Sequence, residues 1–504
     1  MKNCASSKSV ATACLLSACL AIGQNVVDAP AGAPPKPAAP AIPEPLKIGG
    51  VVVTGTVRSR VYFWDWFTPT SGDNTYAYTG NFIRIGFSQK LSSFSWNAEF
   101  NAPIILGLPG NPNGPGAQGA LGLGSNYLSA NKGNQNAAMI FPRQLNLTFN
   151  KVGPEGSVLQ AGRFAFLDGT EMIPKNATLA ALKASRVSQR LLGDFGFSDA
   201  GRSFDGARYS LALPKGNLTF IAATPTRGVF QVDGWGWNRI GFVYGAYTRQ
   251  WGSGKHSADT RAFVLEYDDF RHITKTDNRA LAVRRLDLGN IRINTYGFHS
   301  LHSFVTVAGN ADFLAWTALQ TGRWGPQQHR AYAVVFEGGL QPKIMPALKP
   351  WLRAGLTRTS GDPNATDGKH QTFFQVLPTP RGYARFPFFN MMNLNDPMGS
   401  LVLRPHKQVT TSSEFHSLKL AQGNDLWYAG GGAFQPWTFG YSGRATGGRT
   451  ALGNLYDTNL EYRLNRHFTF TGYVGYMQGL TVMKFIYPAG KDARFGLVEM
   501  LFKF

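Results

Sequence analysis

The chain has 504 residues, 43% hydrophobic and 13% aromatic, with a formal net charge of +21 from 50 Lys+Arg against 29 Asp+Glu. Its mean hydropathy is slightly negative. After the leader no run approaches the roughly 20 apolar residues that a membrane-spanning helix needs, so a helical bundle is excluded and any crossing is made by strands. The basic residues are spread singly among aromatic and apolar ones, with no Lys/Arg tail and no basic helical stripe; this argues against nucleic acid and leaves a membrane surface or an acidic solute.

Residues 1–23 read as a secretory signal peptide. Lys2 and Lys8 supply the positive end, 10–20 the apolar stretch, and Ala21-Ile22-Gly23 the small residues a peptidase reads. Leu16-Ser17-Ala18-Cys19 carries a second reading, a lipobox acylated at Cys19. Cys4, Cys14 and Cys19 are the only cysteines, so the body has neither thiol chemistry nor cysteine-ligated metals. Residues 24–46 form a Pro/Ala-rich linker on the periplasmic side.

From 47 to 504 the pattern is all-β. In 53–64, Val53, Gly55, Val57, Val61 and Phe63 fall on one face and Thr54, Thr56, Arg58 and Arg60 on the other. Ile83, Ile85 and Phe87 oppose Arg84 and Ser88. Phe94, Trp96, Ala98 and Phe100 oppose Ser95, Asn97, Glu99 and Asn101. Leu145, Leu147 and Phe149 oppose Gln144, Asn146 and Thr148. Tyr456, Leu460, Tyr462 and Leu464 oppose Asp457, Asn459, Glu461 and Arg463. Asn465-Arg466 then makes a tight turn into 468–473. One apolar wall and one wet wall suit lipid outside and a water-filled lumen inside.

Segments 103–135, 174–201 and 361–397 are long and turn-rich, against short turns elsewhere. That asymmetry gives long extracellular loops, able to fold inward and narrow a pore, and short periplasmic turns. Tyr62, Phe63, Trp64, Trp66 and Phe67, with Trp235, Trp237, Trp251, Trp324, Trp351, Trp427 and Trp437, lie near predicted turns and read as an aromatic girdle. In the last ten residues Val498, Met500, Phe502 and Phe504 share a face; a terminal strand ending in phenylalanine resembles the signal recognised by barrel-assembly machinery. At roughly 25 residues per strand and loop, the body holds ~18 antiparallel strands, a size that encloses water.

Gly162-Arg163, then Gln189-Arg190-Leu191-Leu192-Gly193 and Gly201-Arg202-Ser203-Phe204-Asp205-Gly206-Ala207-Arg208, form one set of motifs. Ser360-Gly361-Asp362, Asp367-Gly368-Lys369, Thr372-Phe373 and Pro378-Thr379 form a second. Both resemble the alginate export family of outer-membrane porins. The resemblance implies a monomeric 18-stranded barrel with an arginine-rich constriction that passes an anionic uronate polymer. By motif, Arg163, Arg190, Arg202, Asp205 and Arg208 form the lumen cluster, and Lys369 lies in a loop over the mouth.

Alternation independently turns Arg58, Arg60, Arg84, Arg292 and Arg353 away from lipid, where a charge at mid-depth costs about 2–4 kcal/mol. A guanidinium stays charged and can hold a carboxylate by two parallel bonds. A ring of them concentrates anions, while acidic neighbours such as Asp205, Glu99 and Glu461 keep binding loose enough for release. For each arginine the bland alternative is a wall pair, with no part in selectivity.

No G-x-S-x-G, H-E-x-x-H or P-loop is present, and His299 and His302, three apart on a strand, face opposite sides. The expectation is therefore a pore in the outer membrane of a Gram-negative bacterium, not an enzyme. It needs no cofactor or metal; its partners are outer-membrane lipid and an acidic solute, an anionic polysaccharide above all. A general or differently selective porin, or a surface-binding barrel plugged by its own loops, fits the same pattern.

Overall fold

A computed structural model describes residues 46–379, 385–430 and 434–504; the segment read as a signal peptide, most of that read as a linker, and Cys19 lie outside the described residues. Eighteen antiparallel strands close into one barrel. The first six are β1 (Val51–Asp65), β2 (Thr75–Lys90), β3 (Phe94–Leu106), β4 (Phe141–Asn150), β5 (Ser157–Phe164) and β6 (Phe204–Leu213). Next come β7 (Gly216–Pro225), β8 (Ile240–Ser253), β9 (His256–Asp269), β10 (Ile291–Val305), β11 (Gly309–Trp324) and β12 (Gln327–Pro342). The last are β13 (Trp351–Thr359), β14 (Leu394–His406), β15 (Val409–Leu420), β16 (Ala451–Arg463), β17 (Phe468–Gly479) and β18 (Ala493–Lys503). β1 pairs with β18 from Thr56↔Lys503 to Asp65↔Arg494, so the ladder has no open edge and every strand finds backbone partners on both sides. Among the described residues no helix is long and apolar enough to cross a membrane.

Period two sets the faces. On β1, Arg58, Arg60, Tyr62 and Trp64 are buried inside while Phe63 is exposed outside; on β18, Phe495, Leu497, Glu499 and Leu501 point in and Val498, Met500 and Phe502 point out. Connections at the end holding both chain termini are short, such as 214–215, 254–255 and 407–408; those at the other end are long, with 107–140, 165–203, 360–393 and 421–450 the longest. The exception is 325–326, a two-residue hairpin on the long-loop side, where Gly325 takes φ +59°.

The interior differs from the expected water-filled tube. The extracellular half is packed with aromatic side chains from walls and loops. Trp64 stacks on Phe495 at 4.2 Å, Phe386 meets Phe388 at 5.2 Å, and Trp324 lies over His370 at 4.0 Å. Phe374, Phe434, Phe439 and Trp427 belong to the same cluster. This corrects the girdle reading for Tyr62, Trp64, Trp66, Phe67, Trp324, Trp351 and Trp427, which are buried inside; Phe63, Trp235, Trp237, Trp251 and Trp437 are exposed. Rings with an apolar surface on both sides have more to gain in a filled lumen than at a headgroup boundary.

Candidate permeation pathway

Loop 165–203 folds into the barrel and is tied to the wall around its circumference. Asn176 caps a short helix, Ala177–Leu182, its Oδ1 accepting from the Leu179 amide at 3.1 Å; one π-helical turn, Lys183–Val187, follows. The helix buries Leu179 and Leu182 and brings the next turn's cations against strands. Lys183 Nζ pairs with Asp259 of β9 at 2.9 Å, and His299 Nε2 meets the same carboxylate at 2.9 Å. Arg186 holds Glu337 of β12 at 2.9 Å and reaches Glu414 of β15 at 3.5 Å. Arg190 lies 3.6 Å from Glu337, whose other oxygen accepts from Arg353 of β13 at 3.0 Å. Asp168 and Glu171 meet Arg261 of β9 at 3.3 and 3.0 Å. Asp194 pairs with Arg143 of β4 at 2.5 Å and Asp199 with Arg58 of β1 at 3.0 Å. Burial works against the Glu171 charge, but Arg261 and Lys183 hold its carboxyl down at about 2.

The arginines expected in the lumen divide into three groups. Arg58, Arg60 and Arg353 point inward but are dry. Arg58 donates to the Gly196 and Ser198 carbonyls at 2.9 and 2.7 Å; Arg60 pairs with Glu499 and the Phe197 carbonyl; Arg353 pairs with Asp312 and Glu337. Arg190 and Arg202 sit on the infolded loop itself. Arg202 donates to the Gly193 and Pro378 carbonyls at 2.8 Å each, locking this loop to 360–393. These five brace the plug, as wall pairs would.

Arg84 and Arg208 form the second group. Both point inward and both are only half-buried. Arg84 donates to Asn101 at 3.0 Å and lies over Phe82; Arg208 lies over Phe166. Neither makes an ion pair among the described residues. Around them the inward positions of the periplasmic half of β3 to β6, including Asn97, Gln144, Thr148, Gln160 and Ser210, stay half-exposed. On the β2–β6 side the periplasmic half is thus a polar vestibule, while on the β9–β13 side the infolded loop fills the lumen down to the strand ends, where Thr178 Oγ1 accepts from Asn310 at 2.7 Å and Gln341 at 3.1 Å; the extracellular half is a packed plug.

The third group is corrected. Arg163 and Asp205 are directly opposed and joined by two bonds of 2.7 Å, but on the outward face. Arg163 pairs in register with Leu145, which is 57% exposed, and Asp205 with Thr224, while Phe204 and Arg208 take the inward positions. Arg292 also faces outward, its side chain 61% exposed and 2.6 Å from Asp268. Their inward neighbours, such as Ile291 and Ile293, are apolar because the plug is apolar, so alternation there marks the wrong face as lipid. Lys369 lies at the extracellular rim, 56% exposed and 3.7 Å from Asp367.

Several residues escaped the sequence reading. Arg261 shares the inward face of β9 with Asp259 and Phe263, and Arg404 follows Met398 and Val402 on β14; period two reaches both. Arg143 sits at a bulge between Glu99 and Phe100 on the facing strand, which a regular alternation skips.

At the rim, Asp362 and Asp425 bind two loops together. Asp425 Oδ2 accepts from the Asp362 amide at 2.9 Å and from Thr372 Oγ1 at 2.6 Å, and Oδ1 accepts from Tyr428 at 2.8 Å. Burial, with Asp425 adding to it, pushes Asp362 up to about 7; burial pushes Asp425 up to about 6. Among the described residues Asp362 Oδ2 has no hydrogen-bond partner.

A closed barrel of this size, with an outward apolar face and an infolded loop, defines an outer-membrane channel protein. Residues 185–484 match the model of the family described as alginate export, and the chain belongs to that family. Membership makes it a channel of the Gram-negative outer membrane and not an enzyme. No curated protein matches the sequence. Among solved structures it is similar to OccAB2 of Acinetobacter baumannii, at 9% identity over 90% of this chain and 98% of that one, TM-score 0.56. The outer membrane protein OpdK of Pseudomonas aeruginosa matches at 9% identity over 90% and 98%, TM-score 0.52. OccK2 (OpdF) of the same organism, solved in complex with glucuronate, matches at 7% identity over 90% and 97%, TM-score 0.53. These likenesses are of fold.

Proposed function

We propose that this channel passes anionic solutes by passive diffusion, with acidic uronate oligo- or polysaccharide such as alginate as its substrate class. The observation that carries the reading is the pair Arg84 and Arg208, inward-facing, half-buried and without an ion-pair partner among the described residues. A guanidinium without a direct ion-pair partner in a polar vestibule attracts carboxylates and repels cations. The family's description and the glucuronate bound to OccK2 support the same class. Residues 1–23 then serve as the export signal and 24–46 as the linker to the barrel, which works as a monomer assembled by the barrel-assembly machinery.

The test is current block. In a planar bilayer, an oligouronate at micromolar to millimolar concentration is expected to reduce the current of the wild type. It should act less on Arg84→Gln/Arg208→Gln, and a neutral oligosaccharide of equal length should have no effect. Equal block by both sugars would reject acidic selectivity. The filled extracellular half favours a second reading, a plugged surface-binding barrel; a folded, inserted protein that never conducts would favour it.

A further inference from the structure

On the outward surface, the rim of β10–β12 carries a positive cluster that the channel function does not use. Going up β11, the exposed outward residues include Phe313, Leu319 and Thr321, then Arg323; going down β12 they include Gln328 and Arg330, then Tyr332 and Phe336. The lipid-facing band therefore ends in an arginine on each strand. Arg323 stands directly opposite Arg292 of β10, and Arg330 is opposite Thr321, one diagonal from Arg323.

Like charges opposed across a ladder repel. Arg292 is neutralised, with Asp268 at 2.6 Å and Glu266 at 3.9 Å. Arg323 and Arg330 make no ion pair among the described residues, and the outward face of β11, β12 and β13 holds no Asp or Glu. Other rim arginines are paired, Arg494 with Asp65 at 3.3 Å and Arg163 with Asp205 at 2.7 Å, whereas Arg358, outward and exposed on the neighbouring β13, likewise makes no ion pair among the described residues. The two-residue connection 325–326 gives these strands no long loop of their own, and a shallow cleft of about 290 Å³ opens there, lined by Arg323, Gln328 and Arg330 among others.

We infer that Arg323 and Arg330 form a binding site for a phosphate of the outer-leaflet lipid, the phosphorylated acyl-glucosamine known as lipid A. Acyl chains pack on Leu319, Tyr332 and Phe336, and the phosphate, at the height where the apolar band stops, receives the two planar forks. A phosphate monoester carries up to two charges and three acceptor oxygens, and guanidinium binds it bidentately. The ligand supplies the counter-charge that the strands lack.

The test uses the full folded chain in detergent, titrated with bisphosphorylated lipid A. Arg323→Gln/Arg330→Gln is expected to weaken binding about tenfold or more, as loss of charge-assisted bonds does. Arg494→Gln, on the same rim but paired with Asp65, should bind as the wild type does. Heat-modifiable gel mobility confirms that each variant is folded. Lipid A stripped of phosphate, and phosphatidylglycerol, should each bind at least about tenfold more weakly to the wild type. Binding of the double variant within twofold of wild type would overturn the site. Equal binding of the phosphate-free lipid or of phosphatidylglycerol would overturn the assignment to lipid A phosphate. Displacement of lipid A by an equal concentration of inorganic phosphate would reassign the arginines to the free ion.

Discussion

Glu337 is the most heavily used carboxylate of the plug, and Glu337→Gln tests what holds the infolded loop. Its oxygens accept from Arg186 at 2.9–3.0 Å and from Arg353 at 3.0 Å, with Arg190 at 3.6 Å. The surrounding cluster sets three guanidiniums, Arg186, Arg190 and Arg353, against three carboxylates, Glu337, Asp312 and Glu414. The amide keeps the volume and leaves one buried positive charge unmatched. Breaking one side of a buried ion pair costs about 3–5 kcal/mol. At 1.4 kcal/mol per factor of ten, the undocked population of the segment rises roughly a hundred- to several-thousand-fold. The assay is amide hydrogen exchange of 177–193 in folded, detergent-solubilised protein, with the strand amides as internal reference. Faster exchange confined to 177–193 is expected, together with a larger fraction of open time in bilayer recordings. Exchange within threefold of wild type, in a variant whose barrel is intact, would refute the view that these ion pairs hold the plug.

Three further outcomes are expected. The docked rim favours protonated Asp362, whose carboxyl is raised from 3.8 to about 7; the stabilisation is therefore complete below about pH 4 and lost as pH rises through about 7. Amide protection of 360–372 and 422–428 should fall between about pH 4 and 7, and Asp362→Asn should flatten that profile; a rise with pH would contradict the assignment. Arg163→Ala removes two charge-assisted bonds from the outer rim, so thermal unfolding should show a loss of about 1.5–3 kcal/mol with ion selectivity unchanged; altered selectivity would place Arg163 in the path after all. Arg58→Ala leaves Asp199 and the 196–198 carbonyls short of a donor, and should speed amide exchange at 195–200 by at least tenfold; exchange as slow as wild type would show that Tyr62 and Tyr127, whose hydroxyls donate to Asp199 at 3.2 and 3.0 Å, hold that turn unaided.

The barrel was legible because a strand buried on one side and wet on the other writes period two into the chain, as 53–64 and the final ten residues do. Strand number followed from length alone. Which residues face water was legible only where the lumen is polar. On β1 and β2 the inward Arg58, Arg60 and Arg84 oppose Val57, Val61 and Ile83, and the pattern reads correctly. On β10 the inward Ile291, Ile293 and Leu301 pack against the plug, so the more apolar side is the inside and Arg292 was misplaced. Arg163 and Asp205 were carried over by motif, without asking that they share a face with Leu145 and Phe220. The ion pairs of loop 165–203 join residues from 51 positions apart, Arg143 to Asp194, to 228, Arg186 to Glu414, and no local spacing reveals them.

The central claim, an anion-conducting pore with Arg84 and Arg208 setting its charge preference, is tested most directly by the reversal potential of the refolded protein under a KCl gradient. An anion-selective potential that moves toward zero in Arg84→Gln/Arg208→Gln is the expected result. A cation-selective potential in the wild type, or an anion-selective one that the double variant leaves unchanged, would contradict it.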